Sequence, residues 1–108
     1  MLYYVSAKMV ENSFPGEAFP QVFERVIRPS LESLAKMADD KKLTGGVLAG
    51  ERAGVFILEA QSNEEVDRVL GGLPFWGMLN FSVTPLIPFR AAIERDQKQA
   101  NAMKGLQH

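Results

Sequence analysis

The 108-residue sequence contains no cysteine. That excludes disulfides, thiolate metal sites and a cysteine nucleophile. Its one histidine is the last residue, His108. A terminal histidine leaves no Ser-His-Asp triad, no histidine metal site and no HExxH pair. Glycine-rich phosphate loops are missing too, because Gly45-Gly46 and Gly71-Gly72 lack the GxGxxG or GxxxxGK context. No apolar run approaches the ~20 residues that span a bilayer, and Met1 to Lys8 has no charged leader before an apolar core. Lys and Arg are mixed among Asp and Glu at a net charge of −1, so no basic patch for nucleic acid is expected. These absences predict a cytoplasmic protein with no membrane or nucleic-acid partner and no cofactor.

What is present suits one globular domain. Hydrophobic residues make up 46% and charged residues 23%, and 108 residues can bury one core but not two. Leu2 to Val10 reads as a strand whose Tyr3, Val5, Ala7 and Met9 face a helical layer, with Leu2, Tyr4, Ser6 and Lys8 opposite. A helix is predicted from about Glu17, its apolar stripe running from Phe19 to Met37, with a kink or split at Pro29. Asp39 to Lys42 reads as its solvated end. Gly45-Gly46 is expected to turn the chain into a hairpin of Val47–Ala49 and Val55–Ala60, linked by Gly50 to Gly54.

From Ser62 to Leu86 the pattern is helix, apolar corner, strand. Ser62 or Asn63 can cap, Glu64 and Glu65 suit the first turn, and Gly71-Gly72 is expected to stop the helix in the left-handed conformation. Leu79, Phe81 and Val83 then alternate with Asn80, Ser82 and Thr84, the period of a strand. Phe75 and Trp76 at the corner suit a pocket lid, a subunit contact or core packing. The order is βαββαβ, an α+β ferredoxin-like unit over residues 1–88. Residues 89–108 form an extension whose helix, Phe89 to about Met103, has a thin apolar stripe suited to docking on a neighbouring subunit.

A helix opened by Ser62-Asn63, followed by Leu73-Pro74, aromatic residues and Val83-Thr84-Pro85-Leu86, resembles the carboxy-terminal half of the muconolactone isomerase family. Ala49-Gly50 through Glu59-Ala60 extends the likeness upstream. The resemblance implies a homodimer or higher homo-oligomer packed sheet to sheet, as a dimeric α/β barrel. It also implies a cofactor-free isomerase that moves a proton on a small lactone or related carbonyl compound, in a pocket between helices and sheet. Two other readings share the scaffold: a non-catalytic ligand-binding or assembly protein, and a cofactor-free monooxygenase-like barrel. The chain departs from the family at Asn80 and Ser82, at Leu43 to Gly46 and at Ile87 to Arg90, where acidic or histidine-containing segments are usual.

Enolisation needs a base and a donor for the oxyanion, and without histidine and cysteine the choice falls on carboxylates, lysine and tyrosine. Glu59 sits where the family has an acidic residue near the end of the third strand and is the expected proton acceptor. Lys8 is expected to stabilise the enolate and Tyr4 to line the pocket or donate a hydrogen bond. Glu51 and Arg52, in the hairpin link, read as solvated.

Overall fold

A computed structural model describes residues 1–105. Strand β1 (Leu2–Met9) leads through a short 3-10 turn into helix α1 (Phe19–Val22), a π-helical turn (Phe23–Ile27) and helix α2 (Arg28–Asp39). Strands β2 (Leu43–Val47) and β3 (Ala53–Glu59), helix α3 (Asn63–Gly71), strand β4 (Leu79–Leu86) and helix α4 (Phe89–Gly105) follow. The four strands form one antiparallel sheet in the order β2-β3-β1-β4. This is the strand order of the expected split βαβ unit.

The disturbance expected at Pro29 is present, one turn early. Pro29 has no N–H to give the carbonyl four residues back, and the chain adapts by widening the preceding turn. The Arg28 N–H reaches the Phe23 carbonyl, the five-residue spacing of a π-turn. Backbone angles stay right-handed throughout, so α1 and α2 run on as one bent helix. Lys41, with φ of 62°, takes the left-handed position after α2.

Two glycine expectations need correction. Gly45 and Gly46 lie inside β2 rather than in a turn. Gly45 is there because the strands approach closely: a Cβ would sit 2.2 Å from the Val55 carbonyl oxygen. Gly72 does end α3, but with φ of −82°, not in the left-handed region. The N-terminal cap resolves to Ser62, whose hydroxyl accepts from the Glu65 N–H at 3.2 Å. Glu65 in turn accepts from the Gln61 N–H, so the helix start is closed from both sides.

The parity of β1 is as expected. Tyr3 and Val5 are 1% and 0% exposed, beneath a core completed by Leu43, Phe56, Leu58, Val66, Leu70, Leu73 and Phe75. The other face carries cross-strand rows of Tyr4 with Ile57 and Thr84, Ser6 with Val55 and Ser82, and Lys8 with Ala53 and Asn80. No helix covers it. The corner divides: Phe75 is buried and Trp76 exposed. Fully buried Ser30 fixes that corner, donating to the Val26 carbonyl at 2.8 Å and accepting the Phe75 N–H at 2.9 Å. Helix α4 spans Phe89–Gly105, close to expectation, and buries none of its residues. The described chain measures 70 × 29 × 25 Å.

Candidate active site

The link between β2 and β3 is where the sheet, the bent helix and the chain after β1 meet. Gly50 takes φ of 81°, which lets the link reverse in five residues. The Leu48 N–H donates to the Ala53 carbonyl at 2.8 Å and the Glu51 N–H to the Leu48 carbonyl at 3.2 Å. The Arg52 carbonyl accepts from the Met9 N–H at 3.0 Å, which pins the link to the end of β1. Arg52 is therefore held by a strand and not carried on a free loop.

Facing it is a ladder of three phenylalanines. The rings of Phe14 and Phe19 lie 6.3 Å apart and those of Phe19 and Phe23 6.0 Å, both stacked. Arg52 places its guanidinium 5.2 Å from the centre of the Phe19 ring, and Arg28 stands 5.3 Å from that of Phe23. A cation over a ring face is attracted by the ring quadrupole, so both side chains gain a preferred position without an anion.

Behind the ladder, between the bent helix and the sheet, is a chamber of about 240 Å³ lined almost entirely by apolar surface, including Phe23, Ile27, Leu31, Phe75 and Leu79. In front of it is a wider cleft of mixed polar and apolar lining, about 590 Å³, bordered by Lys8, Glu11, Asn12 and Ser13. Met9, Phe19, Glu51, Arg52 and Ala53 border both. Among the described residues Arg52 and Glu51 form no ion pair, with each other or with any third group. The arrangement can hold an apolar ring with a carboxylate and a guanidinium at its edge.

Of the residues expected from sequence, Lys8 borders the outer cleft. Tyr4 and Glu59 border neither cavity. Glu59 pairs with Leu2 at the far end of β1, diagonal to Tyr4 on the open face, about 7–8 Å away by strand geometry. Six residues of strand separate the Glu59 level from Lys8, about 20 Å. One copy of the chain thus brings Tyr4 and Glu59 together and holds Lys8 apart. Glu51 and Arg52 are the residues that sequence reasoning passed over. The spacing of Phe14, Phe19 and Phe23 was the available signal, since it aligns three rings toward the link. No group of acidic or histidine side chains among the described residues could hold a metal ion, and no helix there is long and apolar enough to cross a membrane.

Comparison with known proteins gives a consistent result. The family model described as muconolactone delta-isomerase matches residues 1–92. Among solved structures, a crystal structure of muconolactone isomerase at 3.3 Å resolution is similar with a TM-score of 0.62 and 18% identity, covering 82% of this chain and 90% of that one. A 5-chloro-2-hydroxyhydroquinone dehydrochlorinase from Burkholderia phenoliruptrix AC1100, in complex with 2,5-dihydroxybenzoquinone, is similar with a TM-score of 0.56 and 24% identity. That match covers 81% of this chain and 94% of the other. At these identities the likeness is one of fold. None of the curated proteins matches the sequence.

Proposed function

Since the chain belongs to the muconolactone delta-isomerase family, we propose that it is a proton-transfer enzyme acting on a small unsaturated lactone or related carbonyl compound. The observation that carries this reading is the apolar chamber with Glu51 and Arg52 at its edge. An apolar cavity of ~150 Å³ holds one benzene ring, so about 240 Å³ suits a single ring with substituents.

The chemistry is redox-neutral. A carboxylate takes the proton from the carbon next to a carbonyl, the electrons of the C–H bond move onto the carbonyl oxygen, and the proton returns at another carbon of the conjugated system. Glu51 borders the chamber and is the proposed acceptor, with Lys8 or Arg52 offsetting the enolate charge. Glu59, with Tyr4 beside it, is the proposed acceptor of a second site on the open sheet face. The exposed Leu2, Tyr4 and Leu86 there support covering by a second copy, which would exclude water from Glu59. In this account the chain is a homodimer or larger assembly whose unit is residues 1–88, with 89–108 as the extension that joins subunits.

The test is incubation of the protein with unsaturated lactones in deuterium oxide, following the loss of C–H signals by NMR. Enzyme-dependent exchange at the carbon next to the carbonyl is expected. A panel of such lactones that exchanges no faster than buffer would contradict the reading. Light scattering on dilution tests the assembly, and a mass equal to one chain at all micromolar concentrations would remove it.

A further inference from the structure

Beside β4 the layer that covers the sheet stops one strand short. Phe81, Val83 and Pro85 stand in register with Ala7, Val5 and Tyr3 and so share their helical side. Val83 is nevertheless 40% exposed where Val5 is 0%. Between these β4 residues and Val66, Asp67 and Leu70 of α3 lies a groove of about 450 Å³, bordered also by the exposed Trp76. Helix α4 is the converse case, a helix without a layer. Phe89, Ile93, Ala100 and Met103 form one stripe along it, and all four are exposed. Helices draw most of their stability from packing an apolar face, and this one buries none of its residues. The family match ends at residue 92, in the first turn of α4, so most of the helix lies beyond what the family model describes.

We propose that α4 of one copy seats in the α3–β4 groove of a second copy, each chain lending its helix to the other. The proposal rests on the assembly reading above and is independent of the chemistry. Length fits: the stripe from Phe89 to Met103 runs about 21 Å along the helix, and Phe81 to Pro85 spans about 14 Å of strand. Charge selects the seat. Arg90, Gln97 and Lys104 recur at seven-residue spacing, in one row beside the stripe. On α3, Asp67 borders the groove and Glu64 lies one turn before it, both exposed and outside any ion pair among the described residues. Four cations stand against Glu94 and Asp96 in α4, while residues 1–88 hold the other 8 basic and 11 acidic residues. Two α4 helices laid together would set like charge on like, so the seat is the acidic edge of α3 and not a second α4. The helix is also carried away from its own groove. Only Ile87 and Pro88 separate β4 from α4, and a residue before proline is held extended. The radius of gyration is 18.9 Å, against about 13 Å for a compact chain of similar length. Short hinge links favour exchange of an element between copies.

Trp76 is the only tryptophan in the sequence, so its fluorescence reports on the groove directly. The experiment follows Trp76 emission and light-scattering mass of the full chain over one dilution series. Emission should move to shorter wavelength as the mass rises above one chain, because the arriving helix takes water from the indole. Ile93→Glu should raise the midpoint concentration of that shift by about tenfold or more. Two charge variants then test the seat: Asp67→Lys reverses the groove, and Arg90→Glu with Lys104→Glu reverses the helix. Each alone should raise the midpoint severalfold. An equimolar mixture should return it toward the parent, since every helix in the mixed pair meets a groove of opposite sign. All three positions are exposed, so the circular dichroism of the variants should match the parent. A mixture no better than its components would overturn the proposal. So would a mass that rises while Trp76 emission stays fixed, which would keep the assembly and move it to another surface. Short-wavelength emission persisting where the mass is one chain would place the helix in its own groove and overturn the exchange. A single-chain mass at every micromolar concentration would remove the proposal and the assembly reading together.

Discussion

Tyr3 and Tyr4 are neighbours on β1 and have opposite surroundings: the first is 1% exposed beneath the helices, the second 40% exposed on the bare side of the sheet. The same contrast runs across all four strands. One face is closed by α2 and α3 over a continuous apolar core, and the other has rows of mixed residues over which the described residues place no helix. The pleat alone creates the two faces, but helices supplied by the chain cover only one. The chamber and the outer cleft lie where the covered layer ends, at the link and the close of β1, while a further hollow of about 310 Å³ lies over Ser6, Val55 and Ser82 on the open face.

The sharpest way to break this contrast is to shorten one side chain on each face. Leu58→Ala, in the core, should cost about 2–5 kcal/mol of unfolding free energy. Tyr4→Ala, on the open face, should change the stability of the isolated chain by about 0.5 kcal/mol or less. Urea unfolding at two protein concentrations measures both, and a Tyr4 cost that appears only at the higher one would locate that face in an interface. A Tyr4 cost as large as that of Leu58 in dilute solution would end the distinction.

Next in size is the tie between α2 and the corner. Ser30→Ala removes the acceptor for the Phe75 N–H and leaves it buried without a partner, which should cost about 1–3 kcal/mol. Ser30→Thr keeps the hydroxyl and separates loss of the bond from loss of packing. The covered face also depends on α3 forming. Ser62→Ala, which deletes its cap, should cost about 1 kcal/mol by the same unfolding measurement.

Most of this architecture could be read from the residues because it depends on periodicity. Alternation assigned both faces of β1 and β4 correctly, and Pro29 announced a break because a missing N–H is a local fact. The glycines were harder. Gly45 was read as a turn because glycine permits one, whereas it serves a close approach to Val55 that only the paired strand reveals. Ser30 gave no sign in sequence of its bond to Phe75, 45 residues away. The candidate site was half legible: Lys8 was placed near it, but Glu51 and Arg52 looked solvated because a polar link says nothing about which rings stand opposite. Their placement at the cavity edge depends on Phe19 and Met9 meeting the link in space.

The smallest expected effect concerns α4, which belongs to neither face. It buries none of its residues, with Phe89 at 91% exposure. Ending the chain after Phe89 should therefore leave a cooperative thermal transition within a few degrees of the parent, while the mass by light scattering falls. Loss of the transition would place α4 in the core of the fold.

Proton exchange in Glu51→Gln and Glu59→Gln, set against the parent protein with the same unsaturated lactone, tests the central claim most directly. Both substitutions keep size and hydrogen-bonding capacity and remove only the base. A general base contributes about 10²–10⁴-fold, so exchange should fall by that factor in Glu51→Gln, and Glu59→Gln should remove only the smaller share carried by the open sheet face. The opposite pattern would move the chemistry to the open sheet face, and unchanged exchange in both would contradict carboxylate catalysis by this chain.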